Sequence, residues 1–280
     1  MQSTKHRSSL SVPCLVCLLG IALLAVPAQA QTFAYVTNSS SSSVSVIDTA
    51  TNAVTATIEV EGRPIGVAFT PDGSRVYVAN SESNSVSVID TATNTVTATI
   101  AVGSFPQGLA FTPNGSSAYV GSSFSNSVSV IDTATNTVVD TINIGRDSTA
   151  VAITPDGSRA YVSNNSTAAG SVSVIDTATN TVTATVGVGL NAQSLAITAD
   201  GTHVYVACFS ANSVFVIDTA TNTVTATVAV GFAPVGVAIT PGIGPPTNKS
   251  LCKRGGWKLF TIPRKFKNQG DCVSFVNTGK

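Results

Sequence analysis

The stretch SVSVIDTATN, residues 43–52, recurs in nearly the same form four more times along the chain. A fixed period of this length indicates a repeat protein, in which one short unit is stacked against copies of itself. The isoleucines of the five copies follow one another at steps of 42, 42, 44 and 42 residues and are Ile47, Ile89, Ile131, Ile175 and Ile217.

Each repeat is predicted to contain four short strands. Apolar residues alternate with small polar ones, and in the second repeat this alternation places strands at 65–69, 75–79, 85–89 and 95–101. The breaks between them are rich in Pro, Asp, Gly and Asn, which form tight turns. No segment shows helical periodicity. Four strands in each period are typical of the blades of a β-propeller.

The two ends of the repeat region predict the number of blades. With the strands of a blade called A to D from the centre outward, the first repeat begins at strand B (33–37) and the last ends on a lone strand A (235–239). Pairing of these two segments would complete a fifth blade and cover apolar faces that an open ring exposes. We therefore predict an all-β, five-bladed propeller of four-stranded antiparallel blades over 31–244. An open arc completed by dimerisation is the alternative.

The repeats also resemble a known family. Tyr-Val-Thr-Asn at 35–38, followed by SVSVIDTATN and by the Thr-Pro-Asp-Gly turn at 70–73, is similar to the YVTN-repeat β-propellers of the surface-layer and YncE-like type. The resemblance covers 31–242. It implies a scaffold at the cell surface or in the periplasm that binds a ligand or a protein, and it brings no shared catalytic residues. Members of the family often have seven blades, so a count of five departs from that pattern.

Residues 1–30 have the pattern of a secretory signal peptide. A basic start (5–7) is followed by an apolar segment (15–26) and by Ala-Gln-Ala at 28–30, a small-residue cleavage site. We therefore predict that the protein is secreted, to the periplasm, the cell surface or the medium. An uncleaved N-terminal anchor is the alternative.

The C-terminal region, 245–280, differs sharply from the repeats. Residues 31–244 contain four Arg, no Lys and thirteen acids, for a net charge of −9, whereas 245–280 has a net charge of +7. The segment resembles a short module found on secreted bacterial proteins. Because export favours disulfides, we predict a bridge between Cys252 and Cys272. The basic charge predicts that this region binds an anionic cell-envelope polymer. The alternatives are that it docks on the acidic propeller or that it is a solvated, tethered module. Nucleic acid is not predicted as a partner.

The repeats offer few residues for catalysis. His203 is the one histidine after the predicted signal, and we find no Ser-His-Asp set, phosphate-binding glycine loop or zinc-type Cys/His spacing. The Asp of each Ile-Asp-Thr-Ala-Thr-Asn is interpreted as a turn residue, and Cys208 as a buried, unreactive thiol. We predict no metal and no cofactor. A hydrolase or lyase that uses a cation in the propeller channel is the alternative to a non-catalytic scaffold.

Variation among the repeats is concentrated in one set of loops. Since strands alternate in direction, the A–B and C–D turns share one face, while the B–C and D–A loops share the other. The first face is nearly constant and the second is variable, which predicts that the second binds an unknown protein or a small-molecule or glycan ligand. Drift of loops that are under no constraint is the alternative. The outer D strands lack Lys and Pro, so self-association through them is one expectation. Short, strongly twisted edges that stay unpaired are the favoured alternative. The D–A loop region supplies the predicted binding residues, which are Arg63, Phe105, Gln107, Arg146, Asp147, Asn191, Gln193 and Phe232.

Overall fold

The computed structural model describes residues 31–145, 147–166 and 168–240. These residues form nineteen β-strands and one 3-10 turn (Phe209–Ala211). The strands make four four-stranded sheets and one three-stranded sheet, and every pairing is antiparallel. The predicted all-β class is therefore confirmed, and the four-stranded blade is confirmed for four of the five sheets. The signal segment and the tail with Cys252 and Cys272 lie outside the described residues.

The sheets, numbered I to V, follow the chain without crossovers. Sheet I contains β1 (Phe33–Asn38), β2 (Ser43–Asp48) and β3 (Ala53–Glu59). Sheet II contains β4 (Pro64–Phe69), β5 (Arg75–Asn80), β6 (Ser85–Asp90) and β7 (Thr95–Ala101). Sheet III contains β8 (Pro106–Phe111), β9 (Ser117–Ser122), β10 (Ser127–Asp132) and β11 (Thr137–Asn143). Sheet IV contains β12 (Ser148–Ile153), β13 (Arg159–Asn164), β14 (Ser171–Asp176) and β15 (Thr181–Gly187). Sheet V contains β16 (Ala192–Ile197), β17 (His203–Cys208), β18 (Ser213–Asp218) and β19 (Thr223–Ala229).

Neighbouring sheets pack face to face through buried Val, Ile and Tyr side chains. One face of each sheet presents a Tyr and several branched residues, and the opposite face of the next sheet receives them. Burying one such side chain contributes about 1.5–3 kcal/mol, so these interfaces carry most of the stability. Between sheets I and II the core consists of Tyr35, Val44, Val46 and Ile58 on one side and Val76, Val78 and Ile89 on the other. The same arrangement recurs between II and III, III and IV, and IV and V.

A hydrogen bond between sheets accompanies each of these interfaces. The tyrosine of strand B donates its hydroxyl to the side-chain oxygen of the asparagine that ends the C–D turn of the next sheet. That asparagine has a left-handed backbone, with φ of 54° at Asn94, for example. We call these contacts the Tyr–Asn bonds. They are Tyr35 to Asn94 (2.5 Å), Tyr77 to Asn136 (2.7 Å), Tyr119 to Asn180 (2.6 Å) and Tyr161 to Asn222 (2.8 Å).

The innermost strands approach one another closely, and glycine permits it at two places. A β-carbon on Gly66 would lie 1.9 Å from the backbone oxygen of Gln107, and one on Gly108 would lie 2.6 Å from that of Thr149. At these two positions a larger residue would require the inner strands of adjacent sheets to move apart. The motif Pro-x-Gly opens β4 and β8, whereas β12 and β16 have Ala150 and Ser194 at the glycine position.

The predicted pairing of 235–239 with the first strand is not present in the structure. Sheet I holds three strands, and 235–239 has no strand assignment. The outward faces of the first and last sheets are therefore not covered by a neighbouring sheet. Val228 of sheet V is 46 % exposed, whereas Ile58, which holds the same position in sheet I, is 6 % exposed. Val36 of sheet I is 43 % exposed, and its counterpart Val78 is fully buried. Five blades and a closed ring therefore stay predictions.

The outer strands carry an irregularity that bears on self-association. The register between strands C and D shifts once in every sheet, for example between Val46 and Ile47 in sheet I and between Val88 and Ile89 in sheet II. Such bulges increase local twist and make a flat edge-to-edge pairing harder. Self-association through these edges has not been tested and stays a prediction.

Cys208 lies at the end of β17, in the position that Asn80 and Asn164 occupy in other sheets. It is fully buried, and burial raises the pKa of its thiol to about 11. The predicted buried thiol is confirmed. Over the residues that can be described, no helix is long and apolar enough to span a bilayer.

The Tyr–Asn bonds predict a measurable contribution to stability. Replacing Tyr119 by Phe removes one hydroxyl and leaves the ring packing unchanged, so we expect the free energy of unfolding to fall by about 1 kcal/mol. Urea denaturation followed by circular dichroism measures the change. Ser40→Ala, which removes an exposed surface hydroxyl, is the matched control and should have no effect. Equal stability of Tyr119→Phe and the control would contradict a structural role for the bond.

Candidate functional site

The antiparallel order of the strands sorts the connections onto two faces, as predicted. The constant face carries the A–B turns, such as 70–74, and the C–D turns, such as 48–52. The variable face carries the B–C loops, such as 81–84, and the D–A loops, such as 60–63. The two faces differ in whether their polar side chains form hydrogen bonds within their own turns.

On the constant face the aspartates bond within their own turns. In sheet II, Asp90 accepts the backbone amides of Ala92 and Thr93 at 3.0 and 2.9 Å, and these bonds hold its pKa below the ordinary value. In the A–B turn, the Thr70 hydroxyl and the Ser74 amide donate to Asp72 at 2.6 and 3.0 Å and lower its pKa to about 2. The prediction that these aspartates are turn residues is confirmed.

Cavities between neighbouring A–B turns are lined by these same engaged groups. The cavity between sheets IV and V, of about 490 Å³, is bordered by Asp156, Arg159 and Asp200. Arg159 donates to the carbonyl of Thr219, and each aspartate accepts bonds from its own turn. The polar groups there already have partners, so they offer little to a ligand.

The variable face brings three side chains from different loops into one cluster. The guanidinium carbon of Arg63 lies 5.2 Å from the centre of the Phe105 ring. The Phe105 ring stacks on Phe124, with centroids 4.5 Å apart and an interplanar angle of 19°. Phe124 is 71 % exposed. We call this cluster of Arg63, Phe105 and Phe124 the aromatic stack.

Backbone hydrogen bonds hold the aromatic stack in place. The amide of Phe105 donates to the side-chain oxygen of Asn84 at 2.9 Å, and its carbonyl accepts the amide of Ser123 at 3.1 Å. The amide of Phe124 donates to the carbonyl of Ser104 at 3.2 Å. The rings are therefore presented by ordered loops whose positions are set by the sheets below them.

Arg63 is held in a similar way. Its carbonyl accepts both the amide and the hydroxyl of Ser81, at 3.0 and 2.9 Å. Arg63 and Phe105 both have a left-handed backbone, with φ of 55° and 58°. Side chains other than Gly, Asn and Asp rarely adopt this conformation. Asparagine adopts this backbone conformation more readily, and Asn191 lies at the equivalent position of a later turn.

The other predicted binding residues lie on the same face but outside the aromatic stack. Gln107 is half-buried on β8 and donates to the Ser123 hydroxyl at 3.2 Å. Asn191 donates to Ser210 at 3.0 Å, and its side-chain oxygen is buried without a partner among the described residues. Phe232 is 93 % exposed, Asp147 is exposed and Gln193 is half-buried. Arg146 lies outside the described residues.

Across the described part of the chain, no group of three or more His, Cys, Asp or Glu residues is arranged to hold a metal ion. His203 lies at the start of β17 on the constant face, where its ring nitrogen is 2.8 Å from the Thr202 hydroxyl.

Comparison with known proteins agrees with this architecture. Residues 73–158 match the model of the YncE-like beta-propeller family.

These residues are similar to YncE-like propeller repeats. The YncE-like segment runs from the A–B turn of sheet II into the A–B turn of sheet IV and includes Phe105, Phe124 and Gln107. The family resemblance inferred from the sequence is thus supported, and five antiparallel sheets are consistent with a propeller.

Two solved structures share the fold of the YncE-like repeats. One is described as Kuenenia stuttgartiensis hydrazine synthase; it has a TM-score of 0.60 and 22 % identity, over 75 % of this chain and 86 % of that one. The other is a functionally unknown protein from Desulfotomaculum acetoxidans, with a TM-score of 0.59 and 20 % identity, over 71 % of this chain and 68 % of that one. No curated protein matches the chain.

Sequence reasoning identified two members of the aromatic stack and missed the third. Phe124 lies in a serine-rich B–C loop, and its contact with Phe105 joins a B–C loop to a D–A loop. The available signal was a phenylalanine in 123–126, Ser-Phe-Ser-Asn, where the corresponding loop of sheet II has glutamate.

The lowered aspartate pKa values predict sensitivity to acid. The folded state favours the carboxylates of Asp72, Asp156 and Asp200, so their contribution is present above the ordinary pKa of 3.8 and is lost as pH falls through the lowered values. The lowered pKa is about 2 for Asp72 and Asp200. We expect the free energy of unfolding to decrease between about pH 4 and pH 2, as measured by urea denaturation at each pH.

The chain supplies its own control for this prediction. Asn114 replaces the aspartate in sheet III and still accepts the amide and hydroxyl of Ser116. A triple variant with asparagine at Asp72, Asp156 and Asp200 should therefore keep its stability near pH 7 and lose less of it in acid. An equally steep loss in acid would contradict the assignment.

Proposed function

We propose that this protein is a non-catalytic, exported β-propeller that binds a ligand or a partner protein at its variable face, at the cell surface or in the periplasm. The observation that carries this proposal is the aromatic stack. It places two aromatic rings and a guanidinium on ordered loops, and aromatic and arginine side chains are the groups that most often dominate binding. Fold alone decides little, since unrelated functions share a propeller.

The contrast between the two faces also supports the proposal. On the constant face the same turns recur with the same internal hydrogen bonds, which is what a structural role requires. On the variable face Arg63 and Phe105 occupy a backbone conformation that favours smaller polar residues. Strained positions with exposed side chains are often functional, because the identity of the side chain is then needed for something other than folding.

We further propose that the five sheets close into a ring, with 234–239 as the innermost strand of sheet I. This segment reads Pro-Val-Gly-Val-Ala-Ile, which matches β4 (Pro-Ile-Gly-Val-Ala-Phe) and β8 (Pro-Gln-Gly-Leu-Ala-Phe). Gly236 stands where Gly66 and Gly108 permit the close approach of inner strands. Because nothing lies within 4 Å of a β-carbon built on Gly236, its side is free for that contact.

The turn that precedes this segment has the geometry of an interior D–A loop. The amide of Ala233 donates to the side chain of Asn212 at 2.8 Å, as that of Phe105 does to Asn84. Ala233 has φ of 54°, close to the 58° of Phe105. The chain therefore leaves sheet V in the conformation that leads into an innermost strand elsewhere.

A fifth Tyr–Asn bond would accompany closure. Tyr205 of sheet V and Asn52 of sheet I hold the positions that are bonded at the four interior interfaces. Among the described residues neither side chain has a hydrogen-bond partner, and Asn52 already has the required left-handed backbone, with φ of 56°. Ring closure would bring this donor and this acceptor together.

We also propose that the tail, 245–280, attaches the protein to the cell envelope independently of the variable face. Its net charge of +7 suits an anionic cell-envelope polymer, and a bridge between Cys252 and Cys272 would stabilise so short a module. The hydrolase or lyase considered above stays an untested alternative.

Ring closure is tested by a double-mutant cycle on Tyr205→Phe and Asn52→Gly. In a closed ring the two residues share a hydrogen bond, so the cycle should give a coupling of about 0.5–1.5 kcal/mol in the free energy of unfolding. Glycine keeps the left-handed backbone of Asn52 accessible. The cycle on Tyr119→Phe and Asn180→Gly serves as the positive control. Coupling at the control pair and none between Tyr205 and Asn52 would contradict closure.

Binding at the variable face is tested with the triple variant Arg63→Ala, Phe105→Ala, Phe232→Ala. We expect it to lose at least about tenfold in the affinity of the wild type for the component it retains from an extract of its native envelope. Biolayer interferometry with the isolated component measures the change. The control replaces exposed Thr93, Thr135 and Thr221 of the constant face by Ala. Equal affinities of the triple variant and the wild type would contradict the proposal.

A further inference from the structure

We propose that the aromatic stack binds a pyranose ring of a neutral saccharide. This inference rests on the proposed function and names the ligand class of the same face. Four features of the molecule support it: the shape of the stack, the hydroxyl groups near it, the balance of nearby charges and the residue types in its loops.

The shape of the stack suits a ring-sized, partly apolar ligand. Phe105 and Phe124 lie within 19° of parallel, and Phe124 is 71 % exposed, so most of its surface is open to solvent. The face of an aromatic ring carries partial negative charge. One side of a pyranose ring presents C–H bonds whose hydrogens carry partial positive charge, and this side fits such a surface.

Hydroxyl and amide groups surround the stack. Ser104 is exposed and bonded to the Phe124 amide through its backbone, and Ser83 is exposed in the adjoining loop of sheet II. The amide of Gln107 donates to the Ser123 hydroxyl at 3.2 Å, and Ser123 is buried, so the exposed serines are the groups open to a ligand. Short hydroxyl side chains both donate and accept hydrogen bonds, as sugar hydroxyls require.

The loops that flank the stack favour a saccharide over a protein partner at this spot. Phenylalanine and arginine are enriched in protein–protein interfaces, but serine is depleted there. The loops that flank the stack read Ser-Glu-Ser-Asn at 81–84 and Ser-Phe-Ser-Asn at 123–126. A polyhydroxylated ligand uses these side chains better than an apolar protein surface would.

The charges near the stack favour a neutral ligand. Arg63 contributes one positive charge. Glu61 and Glu82 are exposed in the loops that adjoin Arg63, and the Glu61 carboxylate accepts the Ser85 hydroxyl at 2.5 Å. A site with two carboxylates and one guanidinium has no excess positive charge to attract an anion. Both kinds of group form hydrogen bonds with sugar hydroxyls.

The backbone of the stack supports a role for the side chains themselves. Asn191 occupies the equivalent turn of sheet V without strain, and Arg63 and Phe105 replace it in the turns that build the stack. Left-handed φ values are unfavourable for both of them. Ala233 shows that this turn also accepts a small side chain. Contact with a ligand would therefore account for the size and chemistry of the Arg63 and Phe105 side chains.

The experiment measures the binding of three hexasaccharides to the full chain by isothermal titration calorimetry. The probes are the neutral β-1,4-linked hexamers of glucose and of N-acetylglucosamine and, as an anionic comparison, hexagalacturonate. We expect at least one neutral hexamer to bind and Phe124→Ala to weaken its binding by about tenfold or more. Phe124→Trp should restore it, because the larger ring keeps the surface. Phe124 is so exposed that neither change should affect folding.

Phe209→Ala is the matched control, since Phe209 is a partly exposed phenylalanine in the B–C loop of sheet V and lies outside the stack. Its affinity for the neutral hexamer should equal that of the wild type. Three results would overturn the inference: neither neutral hexamer binds, Phe124→Ala leaves the affinity unchanged, or hexagalacturonate binds more tightly than both neutral probes. If the stack instead retains a protein in a Phe124-dependent way, the saccharide inference fails and the proposed function stands.

Discussion

The hydrogen bond from a tyrosine hydroxyl to the asparagine of the next sheet is the constraint on which the repeat depends. It requires three conditions at once: a tyrosine buried between two sheets, an aspartate that closes the C–D turn, and an asparagine with a left-handed backbone at the end of that turn. Burial also raises the tyrosine pKa, to about 12 at Tyr119, so the hydroxyl stays a donor over the physiological range. This explains why SVSVIDTATN hardly changes between repeats.

Because that bond lies on the constant face, the opposite face is free to vary. The A–B and C–D turns position each sheet against its neighbour, and their polar groups are bonded to one another. Within the described residues, the B–C and D–A loops carry no Tyr–Asn bond, and their hydrogen bonds are local ones such as that of the Phe105 amide to Asn84. Arg63, Phe105 and Phe124 can therefore form a cluster across three loops without disturbing the contacts that hold the sheets together.

Much of the fold was predictable because its signals are local. Alternation and turn residues placed the strands of sheet II within one residue of their observed ends, and the position of Cys208 in the repeat indicated its burial. The Tyr–Asn bonds were not predictable, since their partners are 59 to 61 residues apart and periodicity does not say which residues of two repeats face each other. The same holds for Phe124 and Phe105. The segment 235–239 has the sequence of a strand, but a strand forms only beside a partner edge, and the structure does not confirm that pairing.

Sheet IV has a B–C loop of six residues, 165–170, where the other sheets have four, and this accounts for the single step of 44. The pairing of β13 with β14 nevertheless keeps the register of β5 with β6. The two additional residues therefore lie in the loop and leave the strand pairing unchanged. Peptides of differing size can be grafted at this site, and the framework is suited to displaying randomised libraries.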